Sequence, residues 1–138
     1  MKSLRFEVSE DLELIRVYLP SGSIAEVSEE GVTVDGKRVE YMTLNDCVTE
    51  NDLVVFRTRD GIVAVEVSEL VDEIHADLFE DWREFIRCVV SFEEECACIY
   101  GRDTVLKDIE MIAMMLGIPV IEAMYIAKEK MSEIVCKE

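Results

Sequence analysis

From Leu4 onward apolar and polar residues alternate. Leu4, Phe6 and Val8 would face one way from an extended chain and Arg5 and Glu7 the other, which is the period of a half-buried strand. Further apolar runs follow at 12–19, 24–27 and 32–34, divided by Pro20-Ser21-Gly22 and by Glu30-Gly31. Two Asp-Gly pairs carry the strongest local signal. Asp35-Gly36 joins 32–34 to 37–41, and Asp60-Gly61 joins 53–59 to 62–67. Both spacings predict hairpins with two-residue type I′ loops. A polar break, 45–52, separates the two hairpins. Six to seven short strands joined by tight turns predict a small antiparallel β-barrel or rolled sheet over residues 1–68.

At Ser68 the period changes. Val71, Ile74, Leu78, Trp82, Phe85 and Val89 recur at steps of three and four, with Phe92 and Cys96 prolonging the series. This predicts a long helix over about 69–92, or further toward Gly101, with Ser68 as its cap. Glu93-Glu94-Glu95 would oppose the dipole at the far end of such a helix. Either the helix stops there or those carboxylates meet cations. The next segment, 103–135, reads as a helical hairpin. Val105, Leu106, Ile109, Ile112, Ala113 and Leu116 make the stripe of its first helix, after an Asp103 cap. Val120, Ala123, Met124, Ala127, Met131 and Ile134 make the stripe of its second. Gly117 suits the left-handed position that ends a helix, and Pro119 the first turn of another. The pattern therefore predicts an α+β chain with a β-rich region at 1–68 and a three-helix region at 69–138.

Charge narrows the function classes. The 138 residues carry a formal net charge of −17, and both regions contribute, so binding to phosphate backbones or anionic membranes is disfavoured. The apolar stretch 109–127 approaches a membrane span in length. Glu110 and Glu122 lie within it and Gly117 and Pro119 interrupt it, so it reads as a buried hairpin. No basic segment followed by an apolar one opens the chain, which predicts no secretory leader and a cytoplasmic protein. The five cysteines, an odd number, then predict reduced thiols. The absence of Gln, with only two Asn and abundant Val, Ile and Glu, is a composition common in thermophile proteins.

Little of the sequence carries chemistry. Cys96-Ala97-Cys98 is the obvious metal or redox candidate, but structural zinc needs paired clusters. On a helix, moreover, residues two apart point in nearly opposite directions. The expected role of both is core packing, with no metal and no cofactor. His75 is the only histidine, so any nucleophile-base arrangement, including one with Cys47, must use it. No nucleophile elbow, phosphate-binding glycine loop or H-E-x-x-H motif is present, which leans against an enzyme. Lys37, Arg38, Arg57 and Arg59 alternate with acids and lack interleaved aromatics, so they read as a solvated outer face.

The corner of the helical hairpin places Ile112, Ala113, Leu116, Gly117, Ile118 and Ile126 where they resemble the helix-turn-helix pattern of DNA-binding regulators. That resemblance implies a transcriptional regulator. The helix that would read bases, however, has no Arg, Lys, Asn or Gln before Lys128. A surplus of apolar residues is the stronger signal. Met114, Met115, Val120, Ile121, Met124 and Tyr125 surround the corner on more than one side, whereas one core needs a single stripe. The expectation is a non-catalytic interaction or regulatory module that forms a homo-oligomer through 103–135, with another protein as a further possible partner. The rival expectation is a ligand-binding or enzymatic β-barrel with a pocket between the two halves of the chain.

Overall fold

A computed structural model describes residues 1–11, 13–68 and 73–137. The chain begins with β1 (Lys2–Ser3), β2 (Arg5–Val8), β3 (Leu14–Tyr18), β4 (Ile24–Ser28), β5 (Gly31–Val34) and β6 (Lys37–Val39). It continues through β7 (Tyr41–Asn45), β8 (Asp52–Thr58), β9 (Gly61–Val67) and β10 (Ile74–Phe79). Strands β2 to β6 pair in chain order as one antiparallel sheet, and the second sheet has the order β1-β10-β9-β8-β7. Leu4 separates β1 from β2 and Glu40 separates β6 from β7, so at each point the chain bends out of one sheet and into the other. The ladders stop at these corners and no closed barrel forms.

This corrects the expected barrel or rolled sheet of six to seven strands followed by three helices. Among the described residues there are ten strands in two stacked sheets, and four helices. Two strands escaped the pattern for different reasons. On β7 only Leu44 is buried and Tyr41, Thr43 and Asn45 are exposed, so its alternation is muted. On β10, Ile74, Ala76 and Leu78 face the space between the sheets at a period of two. Ile74 and Leu78 also stand four residues apart, in step with Trp82, Phe85 and Val89 beyond, and so imitate a helix. The expected helix over 69–92 is therefore a strand at 74–79 and a shorter helix, while 69–72 lie outside the described residues.

That helix, α1 (Trp82–Phe92), is capped by Asp81, whose carboxylate accepts from the Arg83 N–H at 2.9 Å. It is followed by α2 (Glu94–Tyr100), α3 (Arg102–Leu116) and α4 (Val120–Met131). The acidic triplet is resolved by the break at Glu93, which leaves Glu94 and Glu95 on the first turn of α2, where the dipole favours them. The corner after α3 forms as its residues dictate. Gly117 takes φ 70 with its N–H on the Ala113 carbonyl, and Pro119 precedes α4. Asp103 lies in the first turn of α3, with Gly101 in the cap position instead.

The arrangement has three layers and two cores. The β1-β10-β9-β8-β7 sheet is the middle layer, and its strands β8 and β9 are buried on both faces. Val54, Phe56, Val63 and Val65 point toward the other sheet, and Leu53, Val55, Ile62 and Ala64 toward the helices. Their near-continuous apolar runs follow from this double burial. At one end the layers of strand are clipped together, because Asp60 accepts from the backbone N–H of Ser21 at 3.0 Å and from its hydroxyl at 2.6 Å. No described helix is long and apolar enough to cross a membrane.

The two Asp-Gly turns differ. Asp35 and Gly36 have φ of 50 and 80, the left-handed pair of a type I′ loop. In the second hairpin Thr58 pairs with Gly61, so the loop residues are Arg59 and Asp60, and Asp60 has no positive φ. Gly61 is instead the first residue of β9, packed against β10. A type I′ loop at Asp60-Gly61 is thus corrected.

The expectation of five reduced thiols is corrected as well. Cys47 is bonded to Cys96, and Cys98 to Cys136, across sequence separations of 49 and 38. The spacing that keeps Cys96 and Cys98 from sharing an ion sends them to two sides of α2. One staples it to the β7–β8 loop and the other to the chain beyond α4. Cys88 is free and half-buried.

Among the described residues one carboxyl group is buried. Glu93 is 3% exposed, and its Oε1 has no hydrogen-bond partner. Burial, followed by the hydrogen bond and the charge of Asp108, pushes its carboxyl up to about 9. The unfolded chain releases this proton near 4.5, so between about pH 5 and 9 the folded state holds a proton that the unfolded state does not. Stability should accordingly fall as pH rises through that window. Glu93→Gln, neutral at every pH, should melt about 5 °C above the parent at pH 8 and level with it at pH 4. Thermal melts of both proteins at pH 4, 6 and 8 check this, and a constant offset across the range would remove the buried acid as its cause.

Candidate functional site

Two features could act on other molecules: a cleft between the sheets and the outer face of the helical hairpin. The cleft arises at the end opposite the Asp60–Ser21 clip. There β2 and β10, which converge at Leu4, have diverged, so Val8 and Ile74 stand at a gap. The space has a volume of about 700 Å³ and is open to solvent. Ile15, Val27 and Val32 from one sheet and Val54 and Val67 from the other make its apolar walls. Tyr41 and Thr43 of β7 stand beside them, and Glu13, Glu29 and Asp52 occupy the rim. Tyr41 lies close to Gly31, where an added Cβ would stand 3.4 Å from the ring. Among the described lining residues there is no lysine or arginine, so the opening is anionic.

A smaller groove of about 350 Å³ adjoins it and shares Ser28, Val32 and Tyr41. Arg38 lies there with Glu26 and Glu30. The cleft is a ligand-sized space of the kind the barrel expectation described, but it sits between two sheets and not between a β region and a helical one.

The helical hairpin presents a different surface. Inward, Val105, Ile109, Ile112, Ala113 and Leu116 of α3 and Ala123, Ala127 and Met131 of α4 are buried. Outward, Met114 is 68% exposed, Ile121 86% and Tyr125 69%. Met111 of α3 is exposed too. Met115, Val120 and Met124 are partly buried against the helical core. Arg57, expected on a solvated face, is exposed and also donates to the Leu116 carbonyl, which ties β8 to the C-terminal end of α3. Ile99 and Tyr100 at the end of α2 are also exposed. No period distinguishes them in the sequence, which is why the pattern passes over them.

The weak chemical candidates are not brought together. His75 is exposed on β10 with the Glu73 carboxylate 3.9 Å away, not on the first turns of a helix as expected. Cys47, Cys96 and Cys98 are held in disulfides and offer no thiolate to an ion or a substrate. Burial pushes the Cys88 thiol up to about 11, and Asp77, Glu66 and Glu84 add to the effect. Such a thiol is nearly all protonated at neutral pH and a poor nucleophile. Among the described residues no group of three or more Cys, His, Asp or Glu side chains could hold a metal ion.

Comparisons with protein-family models, with curated proteins and with solved structures find no match to this chain.

Proposed function

We propose that this chain is a non-catalytic interaction or regulatory module, and that it pairs with a second copy of itself through the outer faces of α3 and α4. One observation supports the reading above others. Ala123, Ala127 and Met131 of α4 are buried in the core, yet Ile121 and Tyr125 on the same helix are 86% and 69% exposed. They are surplus to the core. Burying one such side chain stabilises a contact by roughly 1.5–3 kcal/mol, and soluble chains seldom leave several together in water. A twofold arrangement would use each of them twice, because the same patch meets itself.

Repulsion between two chains of −17 opposes this contact. Salt screens that repulsion over about 8–10 Å at physiological strength, so association should tighten as salt is added. Light scattering between 0.05 and ~0.5 M salt should show a dimer or larger species whose mass holds or rises along the series. Ile121→Glu with Tyr125→Glu should give a folded protein of smaller mass with an unchanged circular dichroism spectrum. A monomer for the parent at every salt concentration would sink the proposal.

A further inference from the structure

We infer that the inter-sheet cleft is a binding site for a small amphipathic cation: a molecule with an apolar body and an ammonium or guanidinium head. Nothing in the self-association reading depends on it, since the cleft and the outer faces of α3 and α4 are formed by different elements.

Three properties of the cleft determine the class of ligand. The first is size: about 700 Å³ falls within the range of roughly 300–1,000 Å³ that small-molecule sites occupy. The second is the wall. Ile15, Val27 and Val54 are buried hydrophobic residues of the inter-sheet core that nonetheless line the open space. Val8, Val67 and Ile74, only partly buried, line the same space, and an apolar ligand body would remove their exposed surface from water. The third is the sign of the rim. Glu13, Glu29 and Asp52 line the space with no described cation among the lining residues. The Asp52 carboxylate accepts only one side-chain hydrogen bond there, from Asn45 Nδ2 at 2.9 Å, and Glu13 and Glu29 are exposed. A positive head held at that rim gains attraction from three carboxylates, and a carboxylate or phosphate head is repelled by the same three. Discrimination between heads is therefore built into the rim and affinity into the walls.

The cleft is also held open by the fold. The Asp60–Ser21 hydrogen bonds clip the opposite end of the sheets, and the bends at Leu4 and Glu40 fix their separation at the corners. A ligand would enter a preformed space, with no need to pry the packed sheets open.

The test is a methyl-detected NMR titration of the full chain with n-decylamine, decanoate and ethylamine, all below the concentration at which the amphiphiles form micelles. Decylamine should shift the methyl signals of Val27, Val54 and Ile74 in a saturable manner, with one molecule per chain. Decanoate, of the same length and opposite charge, should bind at least about tenfold more weakly. Ethylamine, which has the charge without the body, should leave those signals in place. Thr43→Trp, which puts a bulky ring at the opening from an exposed position, should weaken decylamine binding at least about tenfold. Glu29→Gln with Asp52→Asn alters only charge and should lower decylamine affinity about tenfold while leaving or improving decanoate binding. This second variant keeps the test decisive if the tryptophan variant does not fold. Equal affinities for decylamine and decanoate would overturn the inference. So would shifts that never saturate, the behaviour of diffuse counterions around a −17 chain, or shifts centred on Val120 and Ile121 instead of the cleft.

Discussion

Gly61→Val should destabilise the protein by about 4 kcal/mol or more, enough to leave little folded chain at moderate temperature. Two costs combine at this position. Gly61 has φ 143, which an L side chain adopts only with strain, and the cost is greater for a β-branched one. A Cβ there would also lie 2.5 Å from the Phe79 carbonyl oxygen and 3.3 Å from Leu78 Cδ1. The oxygen belongs to the backbone of β10, which is paired with β9 from Ile62↔Phe79 to Val67↔Ile74. It can move only if that ladder moves. Gly36→Val supplies the control, because Gly36 has φ 80 but nothing within 4 Å of its would-be Cβ. That variant should lose only about 1–2 kcal/mol, from backbone strain alone. Guanidinium melts of the two variants measure the difference, and equal losses would mean that the close approach of β9 to β10 adds nothing.

Breaking the Cys47–Cys96 bond should be the second large effect. It closes a separation of 49 residues, and restriction of the unfolded chain over such a loop is worth about 4 kcal/mol in the entropy model. It also joins the β7–β8 loop to α2, linking the middle layer to an outer one. The Cys98–Cys136 bond spans 38 residues, but one end lies beyond α4, where the chain after Met131 carries no further helix. After reduction that end can loosen in the folded state too, so the net loss should be smaller. Cys47→Ser with Cys96→Ser should therefore lower the denaturation midpoint more than Cys98→Ser with Cys136→Ser. A thiol titration of the unreduced, denatured chain should find one thiol, from Cys88. Five thiols, with a midpoint unmoved by reductant, would restore the reduced state that the odd cysteine count favours.

What is legible of the fold in the sequence is what neighbours along the chain fix. Gly117 and Pro119 end one helix and begin another whatever lies around them, because their φ preferences are their own. Asp35-Gly36 likewise makes its turn with left-handed angles that few other pairs accept. Apolar spacing on α3 and α4 picked out the buried residues of both helices, together with Leu106, Val120, Met124 and Ile134, which are only partly buried, since a helix turns its stripe inward at a fixed period. Where a local signal met a longer one, it misled. Ile74 and Leu78 keep step with α1 at intervals of four, yet they are strand residues, and only pairing with β9 reveals it.

Of the six residues that the width of the stripe marks as surplus, Met114, Ile121 and Tyr125 are exposed, while Met115, Val120 and Met124 pack against the helical core. The cleft could not be read from the sequence. Its walls come from strands distant along the chain, and the volume between them depends on where two sheets diverge. The same holds for the disulfides: spacing showed that Cys96 and Cys98 face away from each other on a helix, but their partners at 47 and 136 are neighbours only once the layers have packed. Glu93 is a further case, one acid of three in a row whose burial beside Asp108 follows from the bend between α1 and α2. Local stereochemistry and period belong to the sequence alone. Which faces meet, what remains open between them and which distant groups end side by side were decided by the packing of three layers against one another.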